Sequence, residues 1–222
     1  MTTAAVLPPT ERASALAELP DWRYSQGALG TVFEADSVAA ALALIQAIGA
    51  AAESLDHHPD VDWRYRHVFV RSSTHSVAGQ VTGKDIELAG AISAAAAAGG
   101  AHARPELLRS VELGIDTSDA AAISGTWQAA LGYRTNFAGD LVDPWGRLPA
   151  VWFQETEDPN PSRIHVDLTV EDSTADAVLD EITAHGGRRI DERFRPSFTV
   201  VADAQDNRLC VCTNLGREPD PT

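Results

Sequence analysis

Five consecutive alanines, Ala94 to Ala98, closed by Gly99-Gly100 and followed by Pro105, constrain this chain more than any other feature. An alanine run favours helix, a glycine after it favours the turn that ends a helix, and a proline close behind prevents the helix from resuming. The chain is therefore expected to divide here, into a first domain over residues 1–100, a linker over 101–107 and a second domain over 108–222. With 222 residues in all, each part is long enough to bury a core of its own.

Periodicity assigns both parts to the α+β class. In the first, 10–19 reads as a short helix and 29–35 as a strand, and Asp36 or Ser37 caps a helix over 38–55. Leu42, Ile45, Ile48 and Ala52 are the expected apolar stripe of that helix. Short strands at 62–65 and 68–72 follow, then a helix over 82–98 opened by a Thr cap. The second part carries a weak duplication. A strand at 111–116 and a helix over 119–131 match a strand at 164–170 and a helix over 173–185. Further strands are expected at 133–138 and 148–154 in the first copy, and at 188–191, 197–201 and 208–213 in the second. Two βαβββ units building one sheet are the simplest reading.

Charge excludes several partners. A formal net charge of −15 disfavours nucleic acid and anionic lipid, which need clustered Lys and Arg. No basic segment followed by an apolar core opens the sequence, and no uninterrupted apolar run reaches about 18 residues, so a soluble cytoplasmic protein is expected. Cys210 and Cys212 stand two apart, which on a strand puts both sulfurs on one face and leaves them poorly placed to bridge; reduced thiols are expected.

The densest chemistry lies in the first part, where Glu53, His57-His58-Pro59, Tyr65, His75 and Asp85 bring three of the seven histidines within about twenty residues. A proline directly after a His-His pair ends the helix there and turns two imidazoles in different directions. If the strand before His75 pairs beside the helix end, His75 completes a pocket with His57. A metal site is the rival reading, but neither an HxxxH helix pair nor a Cys companion accompanies these histidines. Acid–base chemistry near neutral pH suits them better.

The spacing Glu53-x3-His57-His58-Pro59-x5-Tyr65-x9-His75-x9-Asp85 resembles the signature of the pterin-4a-carbinolamine dehydratases. Leu19-Pro20-Asp21-Trp22, Phe33, Ser73-Thr74-His75 and Asp85-Ile86-Glu87-Leu88-Ala89 support the likeness, which covers about residues 10–98. The resemblance implies an antiparallel sheet with helices on one face, and dehydration of a 4a-hydroxytetrahydropterin to the quinonoid dihydropterin without cofactor or metal. It further implies a homo-oligomer and a functional link to an aromatic amino acid hydroxylase. Of the catalytic residues implied, His57 and His75 form the acid–base pair and His58 orients the substrate. Pro59, Asp85 and Trp22 complete the substrate site, with Asp85 holding a histidine or the helix start and Trp22 either walling the pocket or anchoring the core.

The second part resembles the glyoxalase-like domains of the vicinal oxygen chelate superfamily, through the helix end Gly125-Thr-Trp-Gln-Ala-Ala-Leu-Gly-Tyr133 and the closing strand Asp206-Asn-Arg-Leu-Cys-Val-Cys212. Metal-dependent members place ligands on the first and last strands of each unit. Here Glu112 and His165 occupy the first-strand positions, with Gln154 or Glu155 on one last strand, but Cys210 stands where a glutamate is expected. A soft thiolate suits the ions of that superfamily poorly, so no metal is expected. A concave sheet lined by Trp127, Trp145, Trp152, Phe153 and His165 would instead take a small apolar or aromatic ligand. Two competing functions follow. One is a ligand-binding or resistance-type protein that uses its first domain only to dimerise. The other is a metal-dependent lyase or dioxygenase centred on His165.

Overall fold

The computed structural model describes residues 5–157 and 162–216 and contains two compact units, the first ending at Leu108 and the second beginning at Arg109. The elements of the first unit are α1 (Pro9–Ala17), β1 (Arg23–Ser25), β2 (Ala28–Glu34), α2 (Val38–Leu55), β3 (Asp60–Arg64), β4 (His67–Ser72), α3 (Gly83–Ala98) and β5 (His102–Ala103). The strands form an antiparallel sheet in the order β1-β2-β4-β3, with β5 also paired to β2. Alternate residues of the central strands, Leu29 and Phe33 on β2 and Val68 and Val70 on β4, pack with Leu44, Ile48, Leu88 and Ile92 of the two long helices.

Helix α2 starts at Ser37, whose hydroxyl accepts the Ala40 amide at 3.1 Å, and stops at Asp56, which takes the left-handed conformation with φ 47°. Its buried line is Ala41, Leu44, Ile48 and Ala52. Leu42, expected in that stripe, is 48% exposed, because a residue adjacent to Ala41 lies about 100° further round the helix. Helix α2 packs on alanine-rich α3. Among the described helices, α2 alone is long and apolar enough to cross a membrane by length and composition; here its inner line belongs to the core.

Residues 101–107, expected as a linker, are built into the first unit. Ala103 pairs with Phe33 and His102 with Glu34, the Arg104 amide donates to Val32 O at 2.7 Å, and the Arg104 guanidinium meets Glu34 at 2.5 Å. Leu108 then lies over Gly30, with methyl groups 3.5 and 3.6 Å from where a Cβ would stand. Beyond β1, the edge of β2 offers unpaired backbone groups, and this segment takes them up.

In the second unit, β6 (Arg109–Thr117), α4 (Ala120–Leu131), β7 (Arg134–Thr135), β8 (Leu141–Val142) and β9 (Ala150–Glu155) form the first copy of the repeat. The second copy is β10 (Ile164–Val170), α5 (Ala175–Ala184), β11 (Arg188–Asp191), β12 (Phe198–Ala202) and β13 (Arg208–Cys212). One eight-stranded sheet results, in the order β11-β12-β13-β10-β6-β9-β8-β7. Within each copy the first and last strands are parallel, and the copies join through antiparallel β6 and β10. The expected strand over 133–138 is only β7, and the short β8 follows it.

The duplication extends to a turn. Asp143 accepts the amides of Trp145, Arg147 and Leu148, and Asp203 accepts those of Gln205 and Asn207. Three residues after each aspartate the backbone is left-handed, at Gly146 and at Asp206. These side-chain turns lead into β9 and β13, the two strands that close the copies.

Candidate active site

Three segments of the first unit meet at one buried carboxylate. The C-terminus of α2 delivers His57, whose amide donates to Ala52 O at 3.0 Å as the helix closes. Lys84, the only lysine in the sequence, bonds the carbonyls of Leu55 and Asp56 at 3.3 and 3.0 Å, which satisfies the α2 C-terminus and ties it to the start of α3. The end of β4 contributes Ser72 and Thr74, and the first turn of α3 contributes Thr82 and Asp85.

Asp85 is fully buried. Its Oδ1 lies 2.7 Å from His57 Nε2 and accepts Ser72 Oγ–H at 2.7 Å. Its Oδ2 accepts the Thr74 hydroxyl at 2.7 Å, the Thr82 amide at 2.8 Å and the Thr82 hydroxyl at 3.2 Å. The contacts with Thr82 form a capping box, so the carboxylate that begins α3 also holds His57. Burial by itself raises the Asp85 pKa, but hydrogen bonds from His57, the Thr82 amide, Ser72 and Thr74 outweigh it and hold the group below its ordinary value of 3.8. The carboxylate is thus ionised at neutral pH and acts as an acceptor throughout. His57 Nε2 is then the nitrogen that donates to this carboxylate.

The other predicted residues lie around this centre in different states. His58 is exposed and pairs with exposed Glu53 at 3.1 Å. His75 is exposed and opens a 3-10 turn directly after Thr74, so the segments bearing His57 and His75 are both tethered to Asp85. Pro59 is half-buried between α2 and β3, and Tyr65 is 72% exposed at the β3–β4 turn. One expectation needs correction. Trp22 is 2% exposed, packs edge-on against Phe33 and donates its indole N–H to Ser93 at 3.0 Å, so it anchors the core and lines no site. Asp85 holds both a histidine and the start of α3, the two roles expected of it, and with both oxygens engaged and no exposure it acts through His57. Ser72 and Thr74 were missed. The Ser-Ser-Thr run that ends β4 was the available signal, since hydroxyls in a buried strand end need acceptors.

Strand alternation also divides the residues expected to line a cleft in the second unit. Trp127 and Phe153 pack with Ile115, Tyr133, Leu141 and Val151 under α4, which removes Trp127 from the cleft. Trp145 is 81% exposed on the turn before β9. Trp152 and His165 share the opposite face, their rings edge-to-face at 5.4 Å between centroids. The His165 ring lies across Gly114, where a Cβ would come within 2.4 Å of it. Burial, then the carboxylate of Asp167, raises the Cys210 pKa. Among the described residues, no group of three or more His, Cys, Asp and Glu side chains is disposed to hold a metal ion.

Comparison with known proteins adds to this geometry. A family model described as Pterin 4 alpha carbinolamine dehydratase matches residues 5–95, and one described as Glyoxalase-like domain matches residues 112–212. A Nocardia farcinica protein provisionally named pterin-4-alpha-carbinolamine dehydratase is 45% identical over 87 residues, which are 39% of this chain and 90% of that one. A Streptomyces coelicolor protein of the same provisional name is 40% identical over 96 residues, 43% of this chain and 95% of its own. Among solved structures, a transcriptional coactivator/pterin dehydratase from Brucella melitensis is 31% identical with a TM-score of 0.40, covering 41% of this chain and 99% of that one.

Proposed function

Because this chain belongs to the pterin-4a-carbinolamine dehydratase family, we propose that its first unit removes water from a 4a-hydroxytetrahydropterin to give the quinonoid dihydropterin, using its histidines as acid and base. The reaction needs two proton movements. Hydroxide leaves C4a most easily when it takes up a proton, and a proton must leave N5. Imidazoles, whose ordinary pKa lies near neutrality, serve both transfers.

The observation that carries this reading is the 2.7 Å contact between Asp85 and His57. An ionised, fully bonded carboxylate fixes the imidazole's orientation and tautomer and stabilises it when it takes a proton. His57 Nδ1 is the atom assigned to proton exchange with substrate. His75 is its counterpart, on a turn anchored next to the same carboxylate, and exposed His58 orients the substrate with Pro59 shaping the turn. On this reading the substrate is the product of an aromatic amino acid hydroxylase, and the protein works as a homo-oligomer with its glyoxalase-like unit as an accessory ligand-binding part.

The test is turnover of enzymatically generated 4a-hydroxytetrahydrobiopterin by the full chain. His57→Ala and His75→Ala should each lower turnover by about 10²- to 10⁴-fold if these residues transfer protons. Near wild-type rates in both variants would overturn the assignment.

A further inference from the structure

Ser72 is out of pattern on its strand. It follows Val68 and Val70 on the face of β4 that packs against the helices, and it lies opposite Leu29 of β2. An apolar side chain would continue that row, yet the position carries a fully buried hydroxyl. A hydroxyl is kept in such a place where it has a bond to make, and the bond here runs to the carboxylate that holds His57, at 2.7 Å from Asp85 Oδ1.

The two oxygens of Asp85 divide their partners. Oδ2 accepts the Thr82 amide, the Thr82 hydroxyl and the Thr74 hydroxyl, so the start of α3 and the segment leading to His75 are both fastened to it. Oδ1 accepts from His57 Nε2 and from Ser72 Oγ, both at 2.7 Å, one donor for each of its lone pairs. These two donors stand 3.5 Å apart. Ser72 therefore takes no part in the helix cap and acts on the oxygen that His57 uses. Two donors on one oxygen share its negative charge, so each charge-assisted bond is weaker than it would be alone.

We propose that Ser72 is a positioning residue that limits how tightly Asp85 grips His57. A carboxylate beside an imidazole stabilises the ring when it takes up a proton, and too strong a grip would keep that proton on the ring and slow its return. By filling the second lone pair of Oδ1, the Ser72 hydroxyl draws off part of the charge and leaves the imidazole able both to take a proton and to give it back. The effect on turnover rests on the assignment of His57 to proton transfer; the effect on the hydrogen bond does not.

The experiment follows the His57 Nε2–H proton by NMR in the full chain at neutral pH, assigned by its absence from His57→Ala, alongside dehydratase turnover. In Ser72→Ala, Oδ2 keeps its three donors, so the carboxylate stays in place and the charge of Oδ1 falls on one bond. The Nε2–H resonance should move downfield. The kcat should fall about tenfold, the order that one bond to a charged group is worth, with KM within about twofold of the wild type. Ser72→Thr, which returns a hydroxyl, should bring both readings back. An unmoved or upfield resonance in folded Ser72→Ala would overturn the proposal, and so would a raised KM at unchanged kcat, which would assign Ser72 to substrate binding. Should Ser72→Ala fail to fold by circular dichroism, Ser72→Cys takes its place with the same expected directions, because a thiol is a weak donor. A downfield shift in a protein whose wild type turns over no pterin would support the role of Ser72 at the Asp85–His57 bond and overturn the reaction assigned to the first unit instead.

Discussion

The carboxylate of Asp85 bonds His57 through one oxygen and caps its own helix through the other, at 2.7 Å from His57 Nε2 and 2.8 Å from the Thr82 amide. A group used twice in this way couples the position of an imidazole to the integrity of a helix start. The active-site reading and the stability of the first unit therefore respond to the same substitution.

Asp85→Asn should destabilise the first unit by about 3 kcal/mol, since it removes a buried charge from five bonded donors. Turnover should fall with it even under conditions where the variant is fully folded. Urea unfolding followed by circular dichroism reads the first effect, and dehydratase assays well below the unfolding midpoint read the second.

Acid should expose the same linkage. The folded-state pKa of Asp85 lies below its ordinary value of 3.8, so folding favours the ionised form. The stability it contributes is fully present above about pH 4 to 5 and is lost as pH falls through the folded-state value. The urea midpoint of the wild type should drop between pH 5 and pH 2 more steeply than that of Asp85→Asn. Parallel curves would show that this carboxylate is not a source of the acid sensitivity.

Truncation should distinguish residues 101–108 from a passive connector. A chain ending at Leu108 keeps the pairing of β5 with β2, the Arg104–Glu34 ion pair and Leu108 over Gly30, whereas one ending at Gly100 loses all three. The longer piece should melt several degrees above the shorter, because a small domain shifts by about 4–8 °C per kcal/mol. Equal melting temperatures would make the segment dispensable.

Gly114→Ala should disturb the second unit selectively. The added methyl would meet the His165 ring at 2.4 Å and Trp152 at 3.0 Å, so the ring must move or the sheet must open, at a cost of about 1–3 kcal/mol. The Trp152 fluorescence environment should change, while dehydratase turnover by the first unit should not.

Much of this protein was legible along the chain. Ser37 as a cap, the alternation of β2 and β4, the alanine run of α3 and the repeated strand–helix units all depend on neighbours a few residues apart, where periodicity and capping chemistry act directly. The spacing of His57, His58, His75 and Asp85 marked the candidate site for a similar reason, since each falls at the end of an element. Helix rotation was harder to read. Leu42 and Ala41 are adjacent and both apolar, and which one faces inward depends on how closely α3 approaches α2.

Tertiary structure decided the rest, because it sets which groups meet across long separations. Only the folded sheet brings Asp85 to Ser72, Thr74 and His57, sends Trp22 into the core against Phe33 and Ser93, and turns Trp127 away from Trp152. Residues 101–107 read as a linker because Gly99-Gly100 ends a helix, and nothing local reveals that the edge of β2 is open to take them. The sequence by itself determined the long helices, the central strands, their order and the histidines able to do chemistry. Burial and pairing partners, which depend on packing between distant segments, determined which of those residues are free to meet a ligand.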